Sequence, residues 1–84
     1  MIKVLYFARL REALGTSAEE IALSRSVSTL NGLRAHLVAR GGAWSEAFAA
    51  NPRVRAAVNQ TMADDETAIA DGDEIAFFPP VTGG

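Results

Sequence analysis

The chain contains no cysteine. That excludes a disulfide framework, thiolate metal sites and a cysteine nucleophile. If such a protein handles sulfur, the sulfur must be delivered from outside. Histidine occurs once, as His36 within a predicted helix, with no second histidine for company. That is the pattern of a surface or packing residue rather than a catalytic base. Lysine also occurs once, at Lys3, and every other basic residue is arginine. The net charge is −2 and the pI near 5.2. This lack of basic excess argues against a general nucleic-acid binder. No apolar run approaches the length of about 18 residues that a membrane span needs. The N-terminus reaches a charge at Lys3 too early for a signal peptide. The expected location is the cytoplasm, with no membrane partner.

What is present is enough for one domain. The 84 residues are 49% hydrophobic, sufficient for a packed globule and too much for a disordered chain. Ile2 to Ala8 predicts a strand. Ile2, Val4, Tyr6 and Ala8 share one face, and Lys3, Leu5, Phe7 and Arg9 the other. Apolar groups on both faces place this strand inside a sheet. Arg9 to Leu14 predicts a helical turn that ends at Gly15. Glu19 to Leu23 reads as a second strand. Ser28 is the predicted N-cap of the main helix, whose stripe is Leu30, Leu33 and Leu37. Gly32 weakens that helix and Gly41-Gly42 ends it. Ala43 to Ala50 reads as an irregular turn or short helix around Trp44 and Phe48.

Val54, Ala56 and Val58 alternate with polar and small residues as a third strand. Thr61 to Ala70 is ambiguous. Asp71-Gly72-Asp73 signals a turn, and Glu74 to Phe78 is the last strand, with Ile75 and Phe77 inward and Phe78 outward. Strand, strand, helix, strand, strand makes an α+β fold. It fits a β-grasp layout, in which one main helix packs across a mixed sheet and the first strand pairs with the last. The expected division is a domain over 1–78 and a tail over 79–84.

No catalytic constellation is visible. Asp64-Asp65-Glu66 lacks the spacing of a calcium loop and reads as a solvated turn. Glu19-Glu20 reads as strand-edge solvation. Gly41-Gly42 follows a helix, which argues against a phosphate loop. No metal site is expected. Phe7 and Phe78 both point away from the helix-covered face. If the first and last strands are neighbours, the two rings lie close together, and Met62 can join them. The bland reading is a satellite cluster or scattered exposed apolar residues. The sharper one is a partner-binding patch.

The patch would lie beside the tail Pro79-Pro80-Val81-Thr82-Gly83-Gly84. The two prolines cannot donate to a sheet ladder and favour extended geometry. Gly83 and Gly84 carry no Cβ and can thread a narrow channel. The tail thus presents an unhindered carboxylate on a thin stalk, although small residues are also common at chain ends.

With Ile2-Lys3-Val4-Leu5-Tyr6-Phe7-Ala8, Leu10-Arg11-Glu12, Val58-Asn59-Gln60, Asp71-Gly72-Asp73-Glu74 and Phe77-Phe78 before the tail, the whole chain resembles the sulfur-carrier small subunits of molybdopterin synthases. These are ubiquitin-like β-grasp proteins. The resemblance implies that an E1-like adenylyltransferase activates the Gly84 carboxylate with ATP and magnesium. Sulfur from a persulfide donor then replaces AMP, which leaves a thiocarboxylate. It implies that Pro79 to Gly83 thread into the large catalytic subunit, where the sulfur passes to cyclic pyranopterin monophosphate in a heterotetramer. It also assigns Phe7, Met62 and Phe78 to the surface that contacts the large subunit. On its own the carrier would not be an enzyme and would hold no stable cofactor. Three other readings stand beside this one: a sulfur carrier for thiamine or tRNA thiolation, a ubiquitin-like modifier of lysines, and a plain interaction domain with an inert tail.

Overall fold

The computed structural model of the chain describes residues 1–25, 27–49 and 54–79. Five strands, β1 Ile2–Tyr6, β2 Ala18–Ile21, β3 Arg55–Val58, β4 Thr61–Ala63 and β5 Glu74–Phe78, form one mixed sheet in the order β2-β1-β5-β3-β4. Three helices, α1 Ala8–Leu14, α2 Leu30–Val38 and α3 Gly42–Ala49, connect them. β1 and β5 run parallel, and all other neighbours are antiparallel. This is the β-grasp layout of ubiquitin-like proteins. The first strand does pair with the last, but the last strand holds the middle of the sheet.

One face of the sheet is covered by the helices. It carries Ile2, Val4 and Tyr6 from β1, Ile75 and Phe77 from β5, and Ala56 from β3, all buried. Against it pack Leu30, Leu33 and Leu37 of α2, Ala47 and Phe48 of α3, and Leu10 of α1. Each large side chain removed from water this way contributes about 1.5–3 kcal/mol. The Phe77 ring lies at the centre. Tyr6 stacks on it at 6.2 Å, Phe48 meets it edge-on at 5.0 Å, and the Arg34 guanidinium sits 5.6 Å from its centroid.

Three local expectations need correction. The N-cap of α2 is Thr29, not Ser28. Thr29 Oγ1 accepts from the Gly32 N–H at 3.2 Å. The Ser28 carbonyl instead accepts from Ile69 N–H, so the chain is still extended there. The Leu30 and Asn31 N–H groups donate to the Thr67 and Asp65 carbonyls. The segment after β4 thus satisfies donors that the first helical turn leaves free. The second correction is β4 itself, which the ambiguous Thr61–Ala70 stretch concealed. Asn59 and Gln60 close a two-residue hairpin between β3 and β4 with φ of 50° and 69°. This left-handed pair is the geometry of a type I′ turn, usually betrayed by Asn-Gly. Third, Gly41-Gly42 both ends one helix and opens another, since α3 starts at Gly42.

Candidate functional site

The face away from the helices is open, and the sheet register divides it in two. Towards the start of β5, Lys3 stands between Glu20 of β2 and Glu74 of β5. The next row, from β2 to β4, is Ala18, Leu5, Ala76, Ala57 and Met62, apolar throughout. Beyond it lies Phe78, opposite Arg55. Phe7 continues the extended geometry of β1, with φ −117° and ψ 155°, so its side chain opposes that of the buried Tyr6. Its N–H donates to the Phe77 carbonyl at 3.1 Å. Phe7 and Phe78 therefore occupy neighbouring positions at the end of the parallel β1–β5 pair.

The structure brings these sequence-selected residues onto one face. Phe7 is 46% exposed and Met62 55%, while Phe78 is half-buried. Met62 lies two strands from Phe78, about 10 Å across the sheet. The chain leaves this patch at once: β5 ends at Phe78, and Pro79 follows outside the ladder. Pro80, Val81, Thr82, Gly83 and Gly84, where the remaining tail assignments fall, lie outside the described residues. Directly after Phe7, Ala8 takes φ 52°. That left-handed conformation costs a non-glycine residue about 1–2 kcal/mol. It turns the chain sharply into α1 and leaves Phe7 at the rim of the sheet.

Two polar arrangements hold this face in place, and neither is apparent from composition. At the start of β5, the Asn59 amide donates to Asp73 Oδ1 and accepts from the Glu74 N–H, each at 3.0 Å. Asp73 Oδ2 accepts from Ala70 N–H at 2.8 Å. The hydrogen bonds from Asn59 and then Ala70 hold the Asp73 carboxyl below its ordinary range. The hairpin turn and the Asp71-Gly72-Asp73 turn are thus clasped together. The motifs that carry the family resemblance also fix the register of β5.

The second arrangement overturns the reading of Glu19 as mere edge solvation. Alternation puts Glu19 on the helix-covered face with Ile21, where it is half-buried. It accepts from Tyr6 Oη at 2.8 Å, and from both Arg40 terminal nitrogens at 2.9 Å. Arg40 also lies 4.5 Å from the Trp44 ring centroid. The Arg40 hydrogen bonds are the main reason the Glu19 carboxyl titrates low. Burial first, and the bond to Glu19 second, push the Tyr6 hydroxyl far up. The signal was in the sequence: a carboxylate on the inward face of an edge strand requires a cation.

Elsewhere the acidic turn is a turn, as read. Asp64 accepts from Glu66 N–H and Thr67 Oγ1, and Asp65 pairs with Arg34 Nε at 2.9 Å. His36 is exposed, beside a shallow apolar slot lined by Ile21, Leu23, Val27 and Leu33. Among the described residues no cluster of acidic and histidine side chains could hold a metal ion. Among them, too, no helix is long and apolar enough to cross a membrane.

Comparison with known proteins gives consistent matches. Residues 4–84 match the model of the ThiS family. A molybdopterin synthase sulfur carrier subunit from Escherichia coli is 48% identical over 84 residues, with both chains covered completely. Among solved structures, the small archaeal modifier protein 1 of Haloferax volcanii superposes with a TM-score of 0.76 at 27% identity, covering 95% of this chain and 97% of that one. A chain from the complex of subunits 1 and 2 of the Helicobacter pylori molybdopterin-converting factor gives 0.68 at 26% identity, covering 99% and 97%.

Proposed function

The chain belongs to the ThiS family, and from that premise we propose that it is the sulfur carrier subunit of a molybdopterin synthase. The observation that carries this reading is the full-length match to a carrier subunit of that enzyme. The geometry of the β5 end supports it. An aromatic core anchors Phe77, Phe78 lies beside Phe7 at the end of an apolar row, and the chain leaves the sheet directly after it.

In this function the domain is a handle and the tail is the working part. An E1-like partner joins the Gly84 carboxylate to the α-phosphate of ATP, with magnesium, and releases pyrophosphate. The acyl-adenylate supplies a leaving group that a carboxylate lacks, so one hard substitution becomes two easier ones. The terminal sulfur of a persulfide attacks the acyl carbon, and AMP departs. A thiol of the donor or activating partner then attacks the donor's sulfur in the S–S bond, forms a disulfide with it and releases the thiocarboxylate on Gly84. Docking through Phe7, Met62 and Phe78 would set the domain against the large subunit. The six residues from Pro79 to Gly84, at about 3.3 Å each, then reach up to about 20 Å into its active site. No side chain of the carrier has to do chemistry, which agrees with its lack of cysteine. The carrier is therefore the non-catalytic partner.

Intact-mass measurement tests the reading. After co-expression with the activating enzyme and a sulfur donor, one terminal oxygen should be exchanged for sulfur. The thiolated protein should then convert cyclic pyranopterin monophosphate to molybdopterin with the large subunit. A carboxylate alone, despite competent partners, would overturn it. The likeness to an archaeal modifier protein supports a second use of the same adenylate, with lysine amines as acceptors. Isopeptide-linked conjugates in a lysate carrying the activating enzyme would reveal it.

A further inference from the structure

The apolar half of the open face carries one exposed cation that makes no ion pair among the described residues. Arg55 stands opposite Phe78 in the β3–β5 register and is exposed. Its guanidinium makes no ion pair or side-chain hydrogen bond among the described residues. The carboxylate one step beyond the β3–β4 register, Asp64, is engaged by Glu66 N–H and Thr67 Oγ1. Lys3, by contrast, is flanked by Glu20 and Glu74 across both neighbouring strands. Neither cation forms an ion pair among the described residues, but Lys3 has a carboxylate on both neighbouring strands, whereas Arg55 has Phe78 on one side and on the other only Asp64, whose Oδ1 is already engaged.

Directly opposed residues on one sheet face have Cβ atoms about 5 Å apart. A partner that covers Phe78 cannot avoid Arg55. Covering an unpaired cation with apolar surface strips its water without return, whereas a carboxylate at that spot restores the lost interactions in a planar, two-pronged contact. We infer that the large-subunit surface receiving Phe7, Phe78 and Met62 presents an aspartate or glutamate to Arg55, and that this pair helps to select the cognate large subunit. The inference rests on the sulfur-carrier reading, and it adds the chemistry of the surface that must meet the patch.

The test is calorimetric titration of the carrier into the large subunit of the same organism's synthase, at low and at high salt. Arg55→Gln should raise Kd about fivefold or more and flatten its salt dependence, and Arg55→Glu should raise it at least about tenfold. Arg55→Lys should fall between wild type and Arg55→Gln. All three should melt like wild type, because the side chain is exposed and unpaired. Phe78→Ala runs in parallel. If Phe78→Ala weakens binding while Arg55→Glu binds like wild type, the inference is overturned and the carrier reading stands. If neither variant changes binding, the docking face itself falls. If Arg55→Glu impairs only adenylation by the activating enzyme, the arginine serves that partner and the inference is again overturned.

Discussion

Asn59 and Asp73 join two turns that lie far apart in sequence, through a 3.0 Å hydrogen bond between their side chains. The bond matters because β5 begins at the next residue, and the backbone N–H of Glu74 is held by the same Asn59 amide. Asn59→Ala should destabilise the domain by about 1–3 kcal/mol. It removes two hydrogen bonds and puts alanine at φ 50°. Asn59→Gly removes the bonds but accepts the backbone geometry, so it should lose less. Urea denaturation of the two variants separates the contributions; equal losses would mean that the left-handed backbone contributes nothing.

Acid should weaken the protein through Glu19. Its carboxyl titrates lower in the folded state than its ordinary value of 4.5, mainly because of Arg40. The stabilisation is therefore complete above that value and is lost as pH falls through the lower folded value. Glu19→Gln should cost about 1–3 kcal/mol at neutral pH. It should also flatten the loss of stability on going below about pH 4.5. Denaturation midpoints across that range check both statements. An unchanged acid limb in Glu19→Gln would assign acid sensitivity to other carboxylates, Asp73 first.

Gly32→Ala should stabilise. A Cβ at this position would meet Thr29 Oγ1 and the Val27 Cα and Cγ1 atoms at 3.6 Å, ordinary contact distances. The N–H that donates to Thr29 Oγ1 is retained. The expected gain is about 0.5–1 kcal/mol, from the helical preference of alanine over glycine. In a domain of this size that is a rise of a few degrees in melting temperature, on the order of 4–8 °C per kcal/mol. A lower melting temperature would show that the space beside Val27 is needed.

Removal of Gly84 should abolish sulfur loading and molybdopterin formation while leaving the melting temperature within about 2–4 °C, since changes that touch no core, cap or buried polar group fall within about 0.5 kcal/mol. Mass analysis and thermal denaturation of the same sample provide both readings. A large loss of stability would make the tail structural and would weaken the carrier assignment.

The sheet core was legible because alternation and helical spacing carry strong signals. Ile75 and Phe77 point inward as read, and Leu30, Leu33 and Leu37 form the expected buried stripe. Phe7, Met62 and Phe78 share the open face for the same reason. What escaped was set by tertiary partners. β4 escaped because its turn is Asn-Gln, which carries no glycine to announce the left-handed pair. The N-cap moved by one residue because Ile69 claims the Ser28 carbonyl. Glu19 looked like a solvated edge until Arg40, brought in from the end of α2, gave it a reason to face inward. Arg55 was read only as a polar alternate of a strand, since its lack of an ion pair depends on Asp64, opposite it, being engaged by its own turn.

The central place of β5 has a consequence for how the protein is made. Until residues 74–78 leave the ribosome, the chain can form only two half-sheets, β2-β1 and β3-β4, each with an open edge. Phe77, the hub of the aromatic core, arrives with the last strand. A chain cut short before it lacks both the wedge that joins the halves and the ring that fills the core. Folding and completion of the last strand are thereby coupled. A domain able to dock is one whose synthesis has already passed Phe78, so abortive fragments should go to proteases rather than compete for the partner.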